Sequence, residues 1–106
     1  MDCKICLHIA SILMIIASMN SKHKKTLKLV FAKPTPASLE WARIEALFVA
    51  VGAQTIEGDG SRVRFALNNV VGTFHRPHPA KEAKPYQVKD ARQFLEQAGV
   101  NPGNSP

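Results

Sequence analysis

Residues 62–75 constrain this chain more than any other stretch. In Arg62-Val63-Arg64-Phe65-Ala66-Leu67 the odd-numbered positions are apolar and two of the three even ones are cationic, the period-2 pattern of a strand with one buried face. Asn68-Asn69 comes next, and asparagine tolerates the positive φ that a two-residue hairpin turn requires. Val70 to His75 then returns. This register predicts Leu67 opposite Val70, Phe65 opposite Gly72 and Val63 opposite Phe74 on the buried side. On the other face it pairs Ala66 with Val71, Arg64 with Thr73, and Arg62 with His75. A guanidinium beside an imidazole on a solvated sheet is suited to holding and attacking a phosphodiester. Function is therefore sought first on this hairpin.

At 106 residues the chain holds one domain with a modest core. A formal charge of +6 and a pI near 9.7 argue for an anionic partner, nucleic acid before an acidic protein. The plainer reading is a basic surface that only keeps a small protein soluble. The 14 Lys and Arg residues are spread along the chain, which favours a folded basic surface over a charged tail. Both cysteines, Cys3 and Cys6, fall in the first six residues. With apolar flanks and no second Cys pair, their spacing makes a poor zinc or redox site. No metal and no cofactor are expected. The lack of a disulfide framework fits a reducing, cytoplasmic setting.

Residues 1–18, MDCKICLHIASILMIIAS, differ in kind from the rest of the chain and read as an apolar extension ahead of a domain at 19–106. The apolar run at 5–17 is short for a helix that crosses a bilayer, so no membrane partner is expected. Translation from Met19, with the polar start MNSKHKKTLK, ranks first among the readings of this segment. A leader peptide ending in Ala17-Ser18 ranks second, and a docked helix or anchor third.

Leu27, Val30 and Phe31 have amphipathic spacing and predict a short helix that Lys33-Pro34 ends. Thr35-Pro36, a capping residue before a first-turn proline, predicts the start of a second helix. In that helix Trp41, Ile44, Leu47, Phe48 and Val51 face the core while Glu40, Arg43 and Glu45 stay in water, and Gly52 ends it. At such spacing Trp41 is a core residue before it is a platform for stacking a base. A short strand over 53–57, a loop over 58–61, the hairpin and the proline-rich bend Arg76-Pro77-His78-Pro79 come next. A last helix over 86–98 buries Val88, Ala91, Leu95 and Ala98 and is capped by Gly99. The expected fold class is α+β, of order α-α-β-β-β-α, with helices on one face of a three-stranded antiparallel sheet.

The string EGDGSRVRF and, after it, HRPHPAKEAKPYQVKDARQFLEQAG resemble the HicA toxin family. Members of that family carry a Gly-Ser-His element entering a strand, a Pro-x-His-type element, a Lys-Glu-x-Lys-Pro segment and a helix ending in Gln-Ala-Gly. The resemblance covers most of residues 26–100. It implies a fold like the double-stranded RNA-binding domain and the activity of an mRNA interferase, an endoribonuclease acting as the toxin of a type II toxin–antitoxin system. It also implies two partners, mRNA and a HicB-like antitoxin that binds and silences the toxin. Gly60-Ser61 match the family's Gly-Ser, His78 its second histidine, and Lys81, Glu82, Lys84 and Pro85 the Lys-Glu-x-Lys-Pro segment. The family's catalytic histidine falls at position 62, where this chain has arginine. Arginine cannot act as a general base, because its pKa stays above ~12. The strand register offers a substitute: His75 lies opposite Arg62, with Cβ atoms about 5 Å apart in such a pair.

RNA is cut without metal when its own 2′-hydroxyl attacks the phosphate. The enzyme then needs a base, an acid for the leaving oxygen, and a cation for the phosphoryl charge. The expected assignment is His75 as base or acid, His78 as the complementary group, and Arg62 and Arg64 as phosphate clamps. Ser61, Lys81, Lys84 and Lys89 are further candidates for RNA contact. The spacing His75-x-x-His78 lacks other ligands for zinc, and His23 among its lysines is a surface charge. Plainer readings stand beside these. His75 is then an ordinary residue of a solvated strand, His78 stiffens the bend, and the arginines deter sheet-to-sheet pairing. Lys81, Lys84 and Lys89 alone suffice for a non-catalytic RNA-binding module, and an inactive toxin homologue that only binds an antitoxin is a further alternative.

Overall fold

Asn68 and Asn69 take φ values of 51° and 67°, the left-handed conformations of a tight hairpin turn. In the computed structural model, which describes residues 20–100 and residue 102, this turn joins strands β2 (Arg62–Leu67) and β3 (Val70–His75). Their antiparallel register is the expected one at every pair, including Arg62 with His75, Arg64 with Thr73 and Phe65 with Gly72. Strand β1 (Gln54–Glu57) pairs with the other edge of β2, setting Ile56 opposite Arg64. The sheet order is β1-β2-β3. Helices α1 (Ser21–Val30) and α2 (Trp41–Ala50) precede the sheet and α3 (Pro85–Gln97) comes after it. The observed order α-α-β-β-β-α is the expected one. The apolar extension at 1–18, its two cysteines and the start at Met19 lie outside the described residues.

Alternation along β2 divides the sheet as the sequence implies. Val63, Phe65 and Leu67 are buried, while Arg62 and Arg64 are exposed. The buried face meets an aromatic cluster centred on Phe48 of α2. Its ring lies 4.9 Å from Phe65, 5.1 Å from Phe94 and 5.5 Å from Phe74. Trp41 packs 5.5 Å from Phe74 and is buried, so it belongs to the core as its spacing predicted. Gly72 permits this packing, since a Cβ there would lie 2.8 Å from both Phe74 and Phe94. Gly52 ends α2 with φ of +102°, a conformation that L side chains rarely adopt.

Helix α1 starts at Asn20, whose Oδ1 accepts from the His23 amide at 3.0 Å. It buries Thr26, Leu27 and Val30. The second helix departs from expectation: Thr35-Pro36 does not start it, and α2 begins at Trp41. Backbone pairing with a distant segment decides this. The Trp41 amide donates to the Lys81 carbonyl at 3.0 Å, and the Ala83 amide donates to the Leu39 carbonyl at 2.8 Å. With Leu39 buried and Glu40 bridged to Glu82, Glu40 is held extended immediately before the helix, and a cap signature cannot override those contacts. Helix α3 begins at Pro85, one residue earlier than expected. It buries Gln87 and Phe94 in addition to Val88, Ala91 and Leu95. Among the described residues no helix is long and apolar enough to cross a membrane.

Candidate functional site

The face of the sheet turned away from the helices carries Arg62 and Arg64 on β2 and Thr73 and His75 on β3, all exposed. Arg62, Arg64 and Thr73, with Glu57 and Asp59, line a hollow of about 460 Å³. His75 stands directly across from Arg62. Ser61, just ahead of β2, is exposed, and its carbonyl accepts from the Arg76 amide at 2.8 Å. That bond carries the β2–β3 ladder one step past His75.

The other predicted residues fall elsewhere. His78 and Lys81 line a groove of about 510 Å³ that also takes in Trp41, Glu45 and Arg76. Among the described residues the groove shares no lining residue with the arginine hollow, and His75 lines neither of the two. In the chain, however, His75 stands between them: it pairs with Arg62 of the hollow and adjoins Arg76 of the groove. Lys84 is the residue before α3 and Lys89 lies on that helix, both exposed.

Arg76 is a site residue that sequence reasoning missed. Its Nε donates to Glu45 at 2.7 Å and its Nη1 to Glu57 at 2.8 Å. Nη2 adds bonds of 3.2 Å to Glu45 and 3.1 Å to Glu57. One guanidinium thus clamps α2 and β1 to the end of β3. Glu45, expected in water, is instead held in this clamp and also accepts from the Trp41 indole N–H. The hydrogen bond from Arg76 holds the Glu57 carboxyl below the ordinary carboxylate range. The two carboxylates in turn raise Arg76 above its usual value, Glu57 first and Glu45 next. Arg76 is therefore engaged as a strut that also lines the groove.

Gln87 is the second residue that sequence reasoning passed over. Its Nε2 donates to the His75 carbonyl at 2.6 Å, and its Oε1 accepts from the Lys84 amide at 2.8 Å. The second bond is half of a capping box, which a Gln three residues after the helix boundary signals. The first depends on how α3 docks, and no local pattern announces it. Gln87 is buried, so the backbone on which His75 sits is tied to the start of α3.

The open face thus offers two guanidinium groups for a phosphate and an imidazole for proton transfer. Among the described residues no three His, Cys, Asp or Glu side chains gather where they could hold a metal ion. Comparison with known proteins places the chain further. Residues 41–100 match the family described as the HicA toxin of bacterial toxin–antitoxin systems. No curated protein matches the chain, and no solved structure does. The match takes in α2, the whole sheet, the histidine-bearing bend and α3. With more than half of its length matched in this way, the chain belongs to the HicA toxin family of bacterial toxin–antitoxin systems.

Proposed function

We propose that this toxin is an endoribonuclease that cuts mRNA in the cytoplasm without metal and is silenced by a HicB-like antitoxin. The pairing of Arg62 with His75 on the exposed face carries the reading. Arg62 and Arg64 grip the scissile phosphate and offset its growing charge. His75 takes the proton of the attacking 2′-hydroxyl, or delivers one to the leaving 5′-oxygen, and His78 does the complementary transfer from the adjoining groove. The products are a 2′,3′-cyclic phosphate and a 5′-hydroxyl. Ser61, Lys81, Lys84 and Lys89 hold flanking phosphates. The antitoxin works by covering these groups.

The test is cleavage of a mixed mRNA pool in chelator. His75→Ala and His78→Ala should each slow cutting by about 10²-fold or more, the usual worth of a positioned proton donor or acceptor. If both variants cut as fast as the parent, the assignment is wrong. A second reading is favoured by one observation: His78 lines a different depression from the two arginines. In that reading the protein binds RNA, or an antitoxin alone, without cutting. Intact transcripts with salt-dependent RNA binding would select it.

A further inference from the structure

Helix α1 lies outside the segment matched by the family, and the chemistry assigned to the sheet face does not account for its charge. Lys22, Lys24, Lys25 and Lys28 are exposed along it, and its sequence SKHKKTLKLV contains no acid. Where α1 meets α2 there is a hollow of about 360 Å³ lined by Lys22, His23 and Arg43, with Asn20, Thr26 and Glu40. Two of the polar side chains around it are engaged. Asn20 accepts from the His23 amide at 3.0 Å, and the Thr26 hydroxyl donates to the Lys22 carbonyl at 3.0 Å. Arg43 differs, because its Nε is buried and has no hydrogen-bond partner among the described residues. Nor is Arg43 in an ion pair among the described residues.

The hollow also adjoins the groove that holds His78 and Lys81, since Glu40 and Ala42 line both. The two lie side by side at the start of α2, one towards the histidine-bearing bend and the other towards the lysine helix. We propose that the hollow binds a backbone phosphate of RNA and extends the substrate track onto α1. The choice of RNA as ligand rests on the endoribonuclease reading of the sheet face. Arg43 and Lys22, which both line the hollow, supply two positive charges for the phosphate, and the other lysines exposed along α1 add charge beside the strand as it leaves. Among the described residues Glu40 is the one acid lining the hollow; it opposes the phosphate, which keeps the grip modest.

The experiment is binding of a short, fluorescein-labelled 2′-O-methyl RNA by anisotropy over a range of salt. The blocked 2′-oxygen prevents cleavage. A Lys22→Gln/Arg43→Gln double variant, shown to be folded by circular dichroism, should lower the slope of log affinity against log salt by about 1.4. That is two lost phosphate contacts at ~0.7 each, and about 25-fold weaker binding at ~0.1 M salt when referred to ~1 M. Glu40→Gln leaves Arg43 in place and should tighten binding, and it carries the test if the double variant does not fold. Unchanged affinity and slope overturn the proposal. So does a double variant that binds RNA normally yet loses affinity for a poly-glutamate peptide, because the hollow would then serve an acidic protein. The cleavage reading fails separately. A parent protein that binds this probe through Lys22 and Arg43 but leaves unmodified mRNA intact keeps the hollow and loses the nuclease.

Discussion

Gly72 and Arg76 show how single positions set the surroundings of the candidate site. At Gly72 the rings of Phe74 and Phe94 occupy the space a Cβ would need. Gly72→Ala should therefore destabilise the fold by about 1–3 kcal/mol through overpacking, read as a lower midpoint in urea. Both rings are wedged in the core, so an unchanged midpoint would contradict the packing described. Arg76 was legible only as a charge in a bend, because its partners lie 31 and 19 residues away. Its bond to Glu57 has a pH signature. The folded carboxyl titrates below its ordinary value of 4.5, so the contribution is fully present above about pH 4.5 and is lost as pH falls through the folded value. Glu57→Gln should lower thermal stability slightly at neutral pH, with the gap to the parent closing in acid. The effect is small because Glu57 is open to solvent and screened. A gap that persists at the lowest pH would mean that the ion pair is not its source.

Among the elements, the hairpin was the most legible, since burial on one face allows only one register and a slip of one residue would turn Val63, Phe65 and Leu67 into water. The two asparagines mark its turn by the one property such a turn demands. Helix α2 was legible as a buried stripe but not at its beginning. Thr35-Pro36 is a genuine local start signal, and it loses to backbone pairing between residues 39–41 and 81–83, two segments far apart in sequence. The end of α1 is likewise set from a distance. Arg92 of α3 donates from Nε to the Val30 carbonyl at 2.9 Å and from Nη2 to the Ala32 carbonyl at 3.2 Å. These are carbonyls at the end of α1, where helical partners run out. Arg92→Met should cost about 1–2 kcal/mol and speed amide exchange in α1 more than in β2. Equal acceleration in both elements would show that the residue acts on the whole core and not on the helix end.

At the scale of the molecule, one aromatic cluster joins the sheet to α2 and α3. Phe48 touches three other rings, so Phe48→Ala should remove about 3–5 kcal/mol, a large share of the ~5–15 kcal/mol that holds a domain of this size. Near-UV circular dichroism and urea unfolding would register it, and a loss below about 1 kcal/mol would exclude a central role for the ring. Among the described residues the cluster leaves the opposite face of the sheet exposed, and that is where Arg62 and His75 stand. The sequence by itself determined the class of fold, the element order, the strand register and the side of the sheet that meets solvent. Each of these arises from short-range periodicity and turn chemistry, which neighbouring residues carry in full. Only the tertiary structure decided that His78 lies in a separate groove, that Arg76 is held between two carboxylates, that Gln87 anchors the His75 backbone, and that a hollow beside α1 shares Glu40 and Ala42 with the groove. Those arrangements depend on how elements dock after they form, and residues with no pattern in common along the chain become neighbours only then.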